Sequence, residues 1–418
     1  MKNILIEQNK HWQDDFNYKS VKREKLDKLI SYLPLRQIIT ITGIRRCGKS
    51  TLLKQAINYL IENKVNRKNI LFINLEHPYF LEYKNDINFL TKLFEEYLKL
   101  INPKGKIYCM FDEIQYFDNW QVYIKNQYEI SDIKYIITGS NSSMLSNELN
   151  TLLSGRSLNI HLDTFNFTEF LEYKQIEYKS EFDRISNRIN IARAKDEYLK
   201  WGGFYEVFSC EDESIKKEIL ISYAKNIIYQ DIVPRYNIRN AHIVERLFFY
   251  LLSLSTTILN YTTLSKTFEL TDKTVKEYIN YFEDTFLFKR IDRYHTKERV
   301  KIKSTKKLYC LDNGFLQISP KHSLNNGAIL ENSVFNVLNQ NYEIITYLKE
   351  SKEIDFMTED KLIQVSYDIS DEKTIKRELN AFKNFAYQKE KLLITYDTTK
   401  TFDDVKAINF EEFIFNQT

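Results

Sequence analysis

Residues 43–51, Gly-Ile-Arg-Arg-Cys-Gly-Lys-Ser-Thr, match the phosphate-loop pattern G-x-x-x-x-G-K-[ST] at every specified position. The stretch follows a β-branched run over 37–42 and precedes a helical run over 52–63. Such a loop turns tightly, points backbone N–H groups inward and opens a helix toward an anion. The pattern therefore predicts a nucleoside triphosphate ligand. The alternative is an ordinary Gly-Lys-Ser turn before a helix.

Each position of the loop has an expected role toward ATP and Mg²⁺. Gly43 and Gly48 permit the turn, and Lys49 is expected to reach the β- and γ-phosphates. The Ser50 hydroxyl is expected to complete the Mg²⁺ shell, because Mg²⁺ prefers a few protein oxygens together with phosphates and waters. The predicted nucleotide-binding residues are Gly43, Ile44, Arg45, Arg46, Cys47, Gly48, Lys49, Ser50 and Thr51.

Two adjacent carboxylates follow the apolar run 107–111. A buried strand that ends in Asp112 and Glu113 can deliver both groups beside the triphosphate. We expect Asp112 to orient the Mg²⁺ shell and Glu113 to accept a proton from the water that attacks the γ-phosphate. An acidic pair after a strand is also common turn chemistry. Its position downstream of a phosphate loop favours the catalytic interpretation.

Polar and basic residues further along are weaker candidates. Ser140 or Asn141, at the tip of the next strand, would contact the attacking water and the γ-phosphate, or would simply cap a helix. Arg156 would stabilise transition-state charge in its own site or across a subunit boundary. An ordinary surface arginine explains Arg156 equally well.

Composition limits the class of protein. The chain has 418 residues, of which 43% are hydrophobic and 14% aromatic, so it predicts two or three globular domains and excludes general disorder. The net charge of +3 is too small to imply nucleic acid. The four cysteines form no CxxC pair, which argues against a zinc site or a disulfide framework. No signal-like or membrane-length apolar run is seen, so we expect a soluble, cytoplasmic protein without membrane contact.

Short apolar runs alternate with helical patterns in the first part of the chain. This alternation predicts a parallel sheet wrapped by helices, with ligands at the carboxyl ends of the strands. The predicted strands are 37–42, 70–75, 106–111, 134–139 and 157–162, and the helices between them include 87–100 and 120–130.

Together these motifs resemble the archaeal and bacterial AAA+ ATPases that carry a C-terminal DUF4143 region. The resemblance rests on the loop, on Phe-Asp-Glu-Ile-Gln at 111–115, on Thr-Gly-Ser-Asn-Ser at 138–142 and on Gly-Arg-Ser at 155–157 leading to 164–170. It implies an α/β P-loop NTPase core of the AAA+ type. A helical lid, a winged-helix domain and a restriction-endonuclease-like α/β C-terminal domain are implied to follow it.

The middle of the chain first reads as helical, over 166–237, with predicted helices 182–201 and 215–229. Arg235 in this region either reaches the nucleotide or is simply solvated. Three further helices and a strand over 241–294 predict a helix-turn-helix with a wing.

A local excess of basic residues follows these helices. Residues 289–307 hold nine basic side chains against two acidic ones. We expect salt-sensitive, largely sequence-independent contact with DNA phosphates. A solvated hairpin or a protein-docking surface is the alternative. The predicted DNA-contacting residues are Arg290, Arg293, Arg299, Lys301 and Lys303.

The order of elements from 327 to 367 resembles the PD-(D/E)XK nuclease core, in which an Asp and a Glu hold Mg²⁺ and a Lys activates water. Asp355 fits the first position, but Gln364 replaces the Glu and Ser366 replaces the Lys. An amide binds Mg²⁺ more weakly than a carboxylate, and serine supplies no positive charge. We therefore expect no nuclease activity. Glu331, Glu353 and Asp355 are expected to pair with basic side chains.

The sequence thus predicts four domains: an ATPase core over 1–165, a helical lid over 166–240, a winged helix over 241–310 and a nuclease-like domain over 311–418. The predicted function is ATP hydrolysis coupled to DNA contact, with self-assembly of subunits. A nucleotide-switched scaffold that docks a protein partner is the alternative, and an ATP-dependent nuclease is a weaker third.

Overall fold

The protein, represented by a computed structural model, divides into two compact units, 1–164 and 165–418. The structure describes residues 1–86, 88–140, 155–320, 325–385 and 387–416. The N-terminal unit contains a five-stranded parallel sheet with the strand order β2-β3-β4-β1-β5. Its strands are β1 Ile38–Thr42, β2 Ile70–Asn74, β3 Ile107–Asp112, β4 Ile133–Gly139 and β5 Ser157–His161.

Helices cover this sheet, as the alternating pattern predicts. All five residues of β1 are buried, which fits an apolar strand at an interior position of the sheet. The helices of the unit are α1 Lys2–Gln8, α2 Lys25–Tyr32, α3 Lys49–Glu62, α4 Phe89–Ile101 and α5 Trp120–Ile130. The predicted α/β core with a parallel sheet is confirmed, and each predicted strand lies within two residues of its position in the structure.

The N-terminal segment covers the outer edge of β2, the end strand of the sheet. The Asn9 side chain accepts from the Phe72 amide at 2.7 Å and donates to the Phe72 carbonyl at 2.9 Å. Gln8 bonds the Asn74 amide and carbonyl in the same manner. These side chains replace a neighbouring strand, so they satisfy backbone groups that an uncovered edge would leave open to pairing with other chains.

His11 also contacts the backbone of β2, at Ile70, and its pKa is lowered. The ring is fully buried, and Nε2 lies 3.0 Å from the Ile70 carbonyl oxygen. Burial lowers the pKa of His11 from 6.5 to about 4. Below pH 6.5 the unfolded chain takes up a proton that the folded chain refuses, so stability is present above that pH and falls as the pH approaches 4.

We expect His11 to cost up to about 1.4 kcal/mol of stability for each pH unit in this window. Denaturant unfolding at pH 7.5 and pH 5 should show a smaller loss on acidification in His11→Gln than in the wild type. The exposed His242→Gln serves as the control. Equal pH dependence in wild type and His11→Gln would contradict the assignment.

The C-terminal unit contains an eight-stranded mixed sheet with the strand order β12-β13-β11-β10-β9-β8-β6-β7. Its strands are β6 Phe288–Arg293, β7 Lys306–Cys310, β8 Thr346–Lys349, β9 Glu353–Met357, β10 Lys361–Ser366, β11 Glu390–Thr395, β12 Lys400–Phe402 and β13 Val405–Asn409. The sequence patterns over 344–349 and 352–357 predict paired strands, and β8 and β9 do pair, in the antiparallel direction.

The helices of this unit largely follow the predicted periodicity. They are α6 Phe167–Tyr173, α7 Glu181–Ser186, α8 Arg188–Trp201, α9 Tyr205–Phe208, α10 Glu213–Asn226, α11 Ala241–Leu252, α12 Tyr261–Phe268, α13 Asp272–Asp284, α14 Glu298–Lys303, α15 Asn326–Asn341, α16 Glu372–Lys383 and α17 Phe410–Phe415. The predicted helix 182–201 is divided at Asn187, and a π-helical turn, Ile227–Ile232, extends α10.

The hairpin of β6 and β7 belongs to the large sheet. Strand β6 pairs antiparallel with β7 and parallel with β8, and the helix α14 lies between β6 and β7 in sequence. The boundary predicted at residue 310 therefore falls inside one continuous sheet. The division into lid, winged helix and nuclease-like domain stays a prediction. Within the described residues, no helix combines the length and apolar character needed to cross a membrane.

Candidate nucleotide-binding site

The phosphate loop connects the end of β1 to the start of α3, as predicted. Gly48 adopts φ 103° directly before the helix, a conformation that favours glycine. At Gly43 a Cβ atom would lie 2.0 Å from the Leu162 carbonyl oxygen and 2.9 Å from the Cys47 sulfur. Only glycine fits at position 43, because a neighbouring backbone oxygen cannot yield this space.

We expect Gly43→Ala to weaken nucleotide affinity roughly tenfold by displacing the loop. Equilibrium titration with a fluorescent ATP analogue measures this effect. Gly155→Ala is the matched control, because Gly155 also has a positive φ, 72°, but a Cβ atom there meets nothing within 4 Å, so it separates backbone strain from the clash at Gly43. An unchanged affinity in Gly43→Ala would show that the loop does not need its present course to bind nucleotide.

Lys49 lies at the centre of the site with 3% of its surface exposed. Its ammonium group donates to the carbonyl oxygens of Gly43 at 3.1 Å and Ile44 at 3.2 Å. It also forms an ion pair with Glu113 at 3.3 Å. Burial by itself lowers the pKa of Lys49, but the nearby negative charges, Glu113 first, raise it overall. Lys49 is therefore a charged group held inside the loop.

Asp112 ends β3 beside the start of α3. The Thr138 hydroxyl donates to Asp112 Oδ1 at 2.6 Å, while Oδ2 is buried with no hydrogen-bond partner among the described residues. Burial and the adjacent Glu113 raise the pKa of Asp112 to about 6, against the opposing effects of Ser50, Thr138 and Lys49. A buried carboxylate oxygen without a partner suits a hard cation. Asp112 therefore fits the predicted Mg²⁺ ligand, and Ser50 is near enough to lower the pKa of the same carboxyl group.

Glu113 faces the loop from a backbone conformation with φ 55°. Besides Lys49, its carboxylate accepts from Gln115 Nε2 at 2.5 Å. Burial raises the pKa of Glu113, but Lys49, Gln115 and Arg45 together lower it. The carboxylate is therefore ionised and able to accept a proton.

Gln115 is a site residue that the sequence analysis did not single out. Its Nε2 contacts Glu113 and also donates to Ser140 Oγ at 3.1 Å. Ser140 is buried at the tip of β4, so Gln115 joins the acidic end of β3 to the polar end of β4. The other residue predicted at this tip, Asn141, lies outside the described residues. The signal in the sequence that could have identified Gln115 is its position two residues after Glu113.

Two arginines fix the course of the loop, Arg45 from within it and Arg23 from the N-terminal segment. The Arg45 guanidinium contacts Glu76 and the Tyr116 hydroxyl, and that hydroxyl donates to Glu76 at 3.0 Å. Arg23, 2% exposed, donates to the Cys47 carbonyl at 2.5 Å. Arg23 lies in a charged stretch, residues 21–30, before the first strand, and nothing local in the sequence marks it as a support of the loop.

Arg156 is not brought to the phosphate loop. Its carbonyl accepts from the amide of Ile38, the first residue of β1, whereas the loop follows the last residue of that strand. The intervening strand spans about 15 Å. The Arg156 guanidinium pairs with Glu129 at 2.8 Å. A role across a subunit boundary stays a prediction.

The predicted DNA-contacting residues divide into two groups in the C-terminal unit. Arg290 pairs with Glu283, and Lys301 lies 3.9 Å from both Asp292 and Glu298. The side chains of the remaining three, in contrast, have no hydrogen-bond or ion-pair partner in the described part of the chain; they are Arg293, Arg299 and Lys303.

Comparisons with known proteins identify an AAA domain over the part of the chain that contains the phosphate loop. Residues 35–171 match the AAA_14 model, described as an AAA domain, and residues 193–321 match DUF8612, a domain of unknown function. The predicted DUF4143 region is not among these matches. A Walker-type ATPase of Pyrococcus abyssi, PABY2304, aligns with a TM-score of 0.46 and 14% identity over 74% of this chain and 100% of that one.

Two relatives match along most of their length. Uncharacterized protein MJ1544 of Methanocaldococcus jannaschii is 33% identical over 401 residues, which cover 91% of this chain and 87% of the relative. An uncharacterized protein of Haemophilus influenzae is 32% identical over 362 residues, covering 84% and 87%. The chain belongs to the family of these two proteins, and its N-terminal region is an AAA domain with a phosphate loop.

Proposed function

We propose that the N-terminal unit binds ATP with Mg²⁺ and hydrolyses it to ADP and phosphate. The observation that carries this proposal is the meeting of Lys49 and Glu113 at 3.3 Å beside the unpartnered oxygen of Asp112. A cation for phosphate, an ionised base and a free hard-metal ligand are the three groups that phosphoryl transfer to water needs.

The residues act in sequence on the substrate. The loop amides and Lys49 hold the phosphates, and Lys49 stabilises charge on the γ-phosphoryl oxygens as the bridging bond breaks. Glu113 takes a proton from the attacking water as the water oxygen bonds to phosphorus. ADP leaves with the bridging oxygen. Bound Mg²⁺, held by Ser50 and Asp112, would neutralise phosphate charge.

Binding must rearrange the pair that holds Lys49 in the structure. Lys49 donates to two loop carbonyls and to Glu113, and phosphate oxygens would compete for the same ammonium protons. When Lys49 turns to the phosphates, Glu113 keeps its contact with Gln115. Gln115 then holds the base in place while the ion pair weakens.

Steady-state ATP hydrolysis tests the proposal, measured with and without duplex DNA over a range of protein concentrations. Turnover that requires Mg²⁺ supports the assignment, and its absence under all these conditions would refute it. A rise in specific activity with protein concentration would support self-assembly of subunits, which we also propose.

The finer part of the proposal is that the ATP cycle is coupled to DNA through residues 289–307, as a winged helix would do. It rests on Arg299 and Lys303, which are exposed residues of α14 and lack hydrogen-bond and ion-pair partners in the described residues. Exposed cations of this kind bind phosphates by releasing counterions.

We also propose that the protein is cytoplasmic, because its four cysteines are free thiols and disulfides are rare in that compartment.

Charge removal provides the test for DNA contact. The triple variant Arg293→Gln, Arg299→Gln, Lys303→Gln should bind duplex DNA more weakly. Its slope of log affinity against log salt should flatten by about 0.9 for each DNA phosphate that the variant no longer neutralises. The control removes three exposed lysines elsewhere, by Lys352→Gln, Lys373→Gln and Lys383→Gln. Equal salt slopes in both triple variants would refute DNA contact by this segment.

The alternative proposal is a scaffold that docks a protein through the same segment. It is favoured by two exposed apolar side chains on α14, Val300 at 42% and Ile302 at 67% exposure. The ion pair of Arg290 with Glu283 also reduces the positive charge that this segment can offer to DNA. Absence of a gel shift at low salt, together with ATPase activity insensitive to DNA, would favour this alternative.

A further inference from the structure

A buried lysine lies among three acidic residues of the C-terminal unit. Lys307, on β7, lies 2.7 Å from Glu331, 2.9 Å from Glu353 and 3.0 Å from Asp355. Only 3% of its surface is exposed. These three carboxylates, here called the acidic cluster, come from α15 and β9. The expected pairing of the cluster with basic side chains is therefore met chiefly by Lys307, a residue counted in the basic run 289–307.

Further groups contact the acidic cluster. The Tyr309 hydroxyl donates at 2.8 Å to Glu331 Oε1, the same oxygen that Lys307 contacts, and Lys349 donates to the second oxygen of Glu353 at 2.9 Å. The Val365 amide donates to the second oxygen of Asp355 at 3.0 Å. Both oxygens of Glu353 and both oxygens of Asp355 are thus engaged, whereas Asp112 keeps an oxygen without a hydrogen-bond partner among the described residues.

The two residues that depart from the nuclease pattern are engaged elsewhere. The side-chain oxygen of Gln364, Oε1, accepts from the backbone amide of Asp355 at 3.3 Å. The side-chain nitrogen of Gln364, Nε2, donates to the Glu378 carboxylate at 2.9 Å. Ser366 donates to the Asp368 carbonyl at 3.2 Å. Neither residue supplies a metal ligand or a cation to the cluster. The residues present therefore do not fit the Mg²⁺ that the nuclease resemblance implies.

We propose that Lys307 is the resident cation of the acidic cluster and closes it to divalent metal, so that removal of its ammonium group creates a divalent-cation site. A divalent ion would need oxygen ligands at about 2.0–2.6 Å from a shared centre, and the ammonium nitrogen already occupies that centre. Entry of the ion would place a second positive charge against a buried one.

The electrostatics of the site keep Lys307 charged. Burial alone lowers the pKa of Lys307, but Asp355, Tyr309, Glu331 and Glu353 raise it well above its ordinary value. Loss of the proton therefore does not empty the cluster near neutral pH. Removing the side-chain nitrogen takes the cationic partner from Glu331 and Asp355, while Glu353 keeps Lys349, and buried carboxylates that lack a cation recruit a hard metal ion.

The test uses Mn²⁺ alone, without nucleotide, on the full-length chain. Bound Mn²⁺ is counted by electron paramagnetic resonance, and thermal unfolding is recorded in Mn²⁺ and in EDTA. We expect the wild type and Asp355→Asn to bind equally, because Lys307 excludes metal from the cluster. Lys307→Met should bind one additional Mn²⁺ that is lost in the double variant with Asp355→Asn, and its melting temperature should rise in Mn²⁺.

Lys306→Met is the matched control. Lys306 is the preceding residue on the same strand and pairs with Asp292, so its loss should recruit no Mn²⁺ through Asp355. Wild-type binding that Asp355→Asn removes would overturn the proposal, as would metal-dependent plasmid nicking lost in Asp355→Ala. A folded Lys307→Met that gains no Mn²⁺ would overturn it too. If Lys307→Met does not fold even in Mn²⁺, the wild-type comparison decides.

Discussion

Replacing Lys49 with alanine is expected to lower the rate of ATP hydrolysis by roughly 100-fold to 1000-fold, in line with the loss of a preorganised group that stabilises transition-state charge. The ammonium group is buried inside the phosphate loop and cannot be replaced there by a neighbouring cation, since Arg45 contacts Glu76 and Arg23 contacts the loop from outside. Steady-state phosphate release measures the effect.

The same substitution should also weaken ATP binding. In the free protein it leaves Glu113 without its ion-pair partner, so the pKa of that carboxylate should rise from its lowered value. Lys68→Ala is the control, because Lys68 is exposed in the same unit and away from the loop. Unchanged turnover in Lys49→Ala would remove the basis of the catalytic assignment.

Replacing Glu113 with glutamine should separate hydrolysis from binding. The amide cannot accept the proton of the attacking water, so we expect kcat to fall by about 100-fold to 10,000-fold. ATP affinity should stay within a few-fold of the wild type or improve, because Lys49 is then no longer held by a negative partner at 3.3 Å. Single-turnover hydrolysis and equilibrium nucleotide titration on the same sample measure both quantities.

Glu62→Gln is the matched control for this charge change. Glu62 ends the helix α3 and is exposed, so its substitution should leave both kcat and affinity unchanged. A Glu113→Gln variant with wild-type turnover would assign the base to another group. A variant that loses binding and turnover together would indicate that Glu113 supports the loop through Lys49 and is not the base.

Much of the candidate nucleotide site could be predicted because its parts are local in sequence. A phosphate loop takes its course from nine consecutive residues, and the carboxylates follow a strand whose apolar run is legible by itself. The parallel order of the strands then brings both motifs to the same edge of the sheet. Gln115 was missed because its role depends on where Ser140 lies, and Ser140 belongs to a different strand.

Long-range contacts were the part that could not be predicted. Arg156 seemed a candidate for the site from its neighbours in sequence, but the register of β5 against β1 places it at the far end of the strands. Asn9 and His11 lie in a segment that carries no motif, yet they cover the edge of β2. Such roles depend on which backbone groups the sheet leaves unpaired.

The sequence by itself determined that the chain contains a phosphate loop and an acidic pair after a later strand, and that the core is a parallel α/β sheet. Only the tertiary structure decided which charges Lys307 faces. This lysine belongs to a basic run in sequence but is buried among carboxylates that lie 24 to 48 residues further along the chain. The physical reason is that a short motif carries its own backbone geometry. The charge that a side chain faces, in contrast, is set by strand order and register, which no local pattern records.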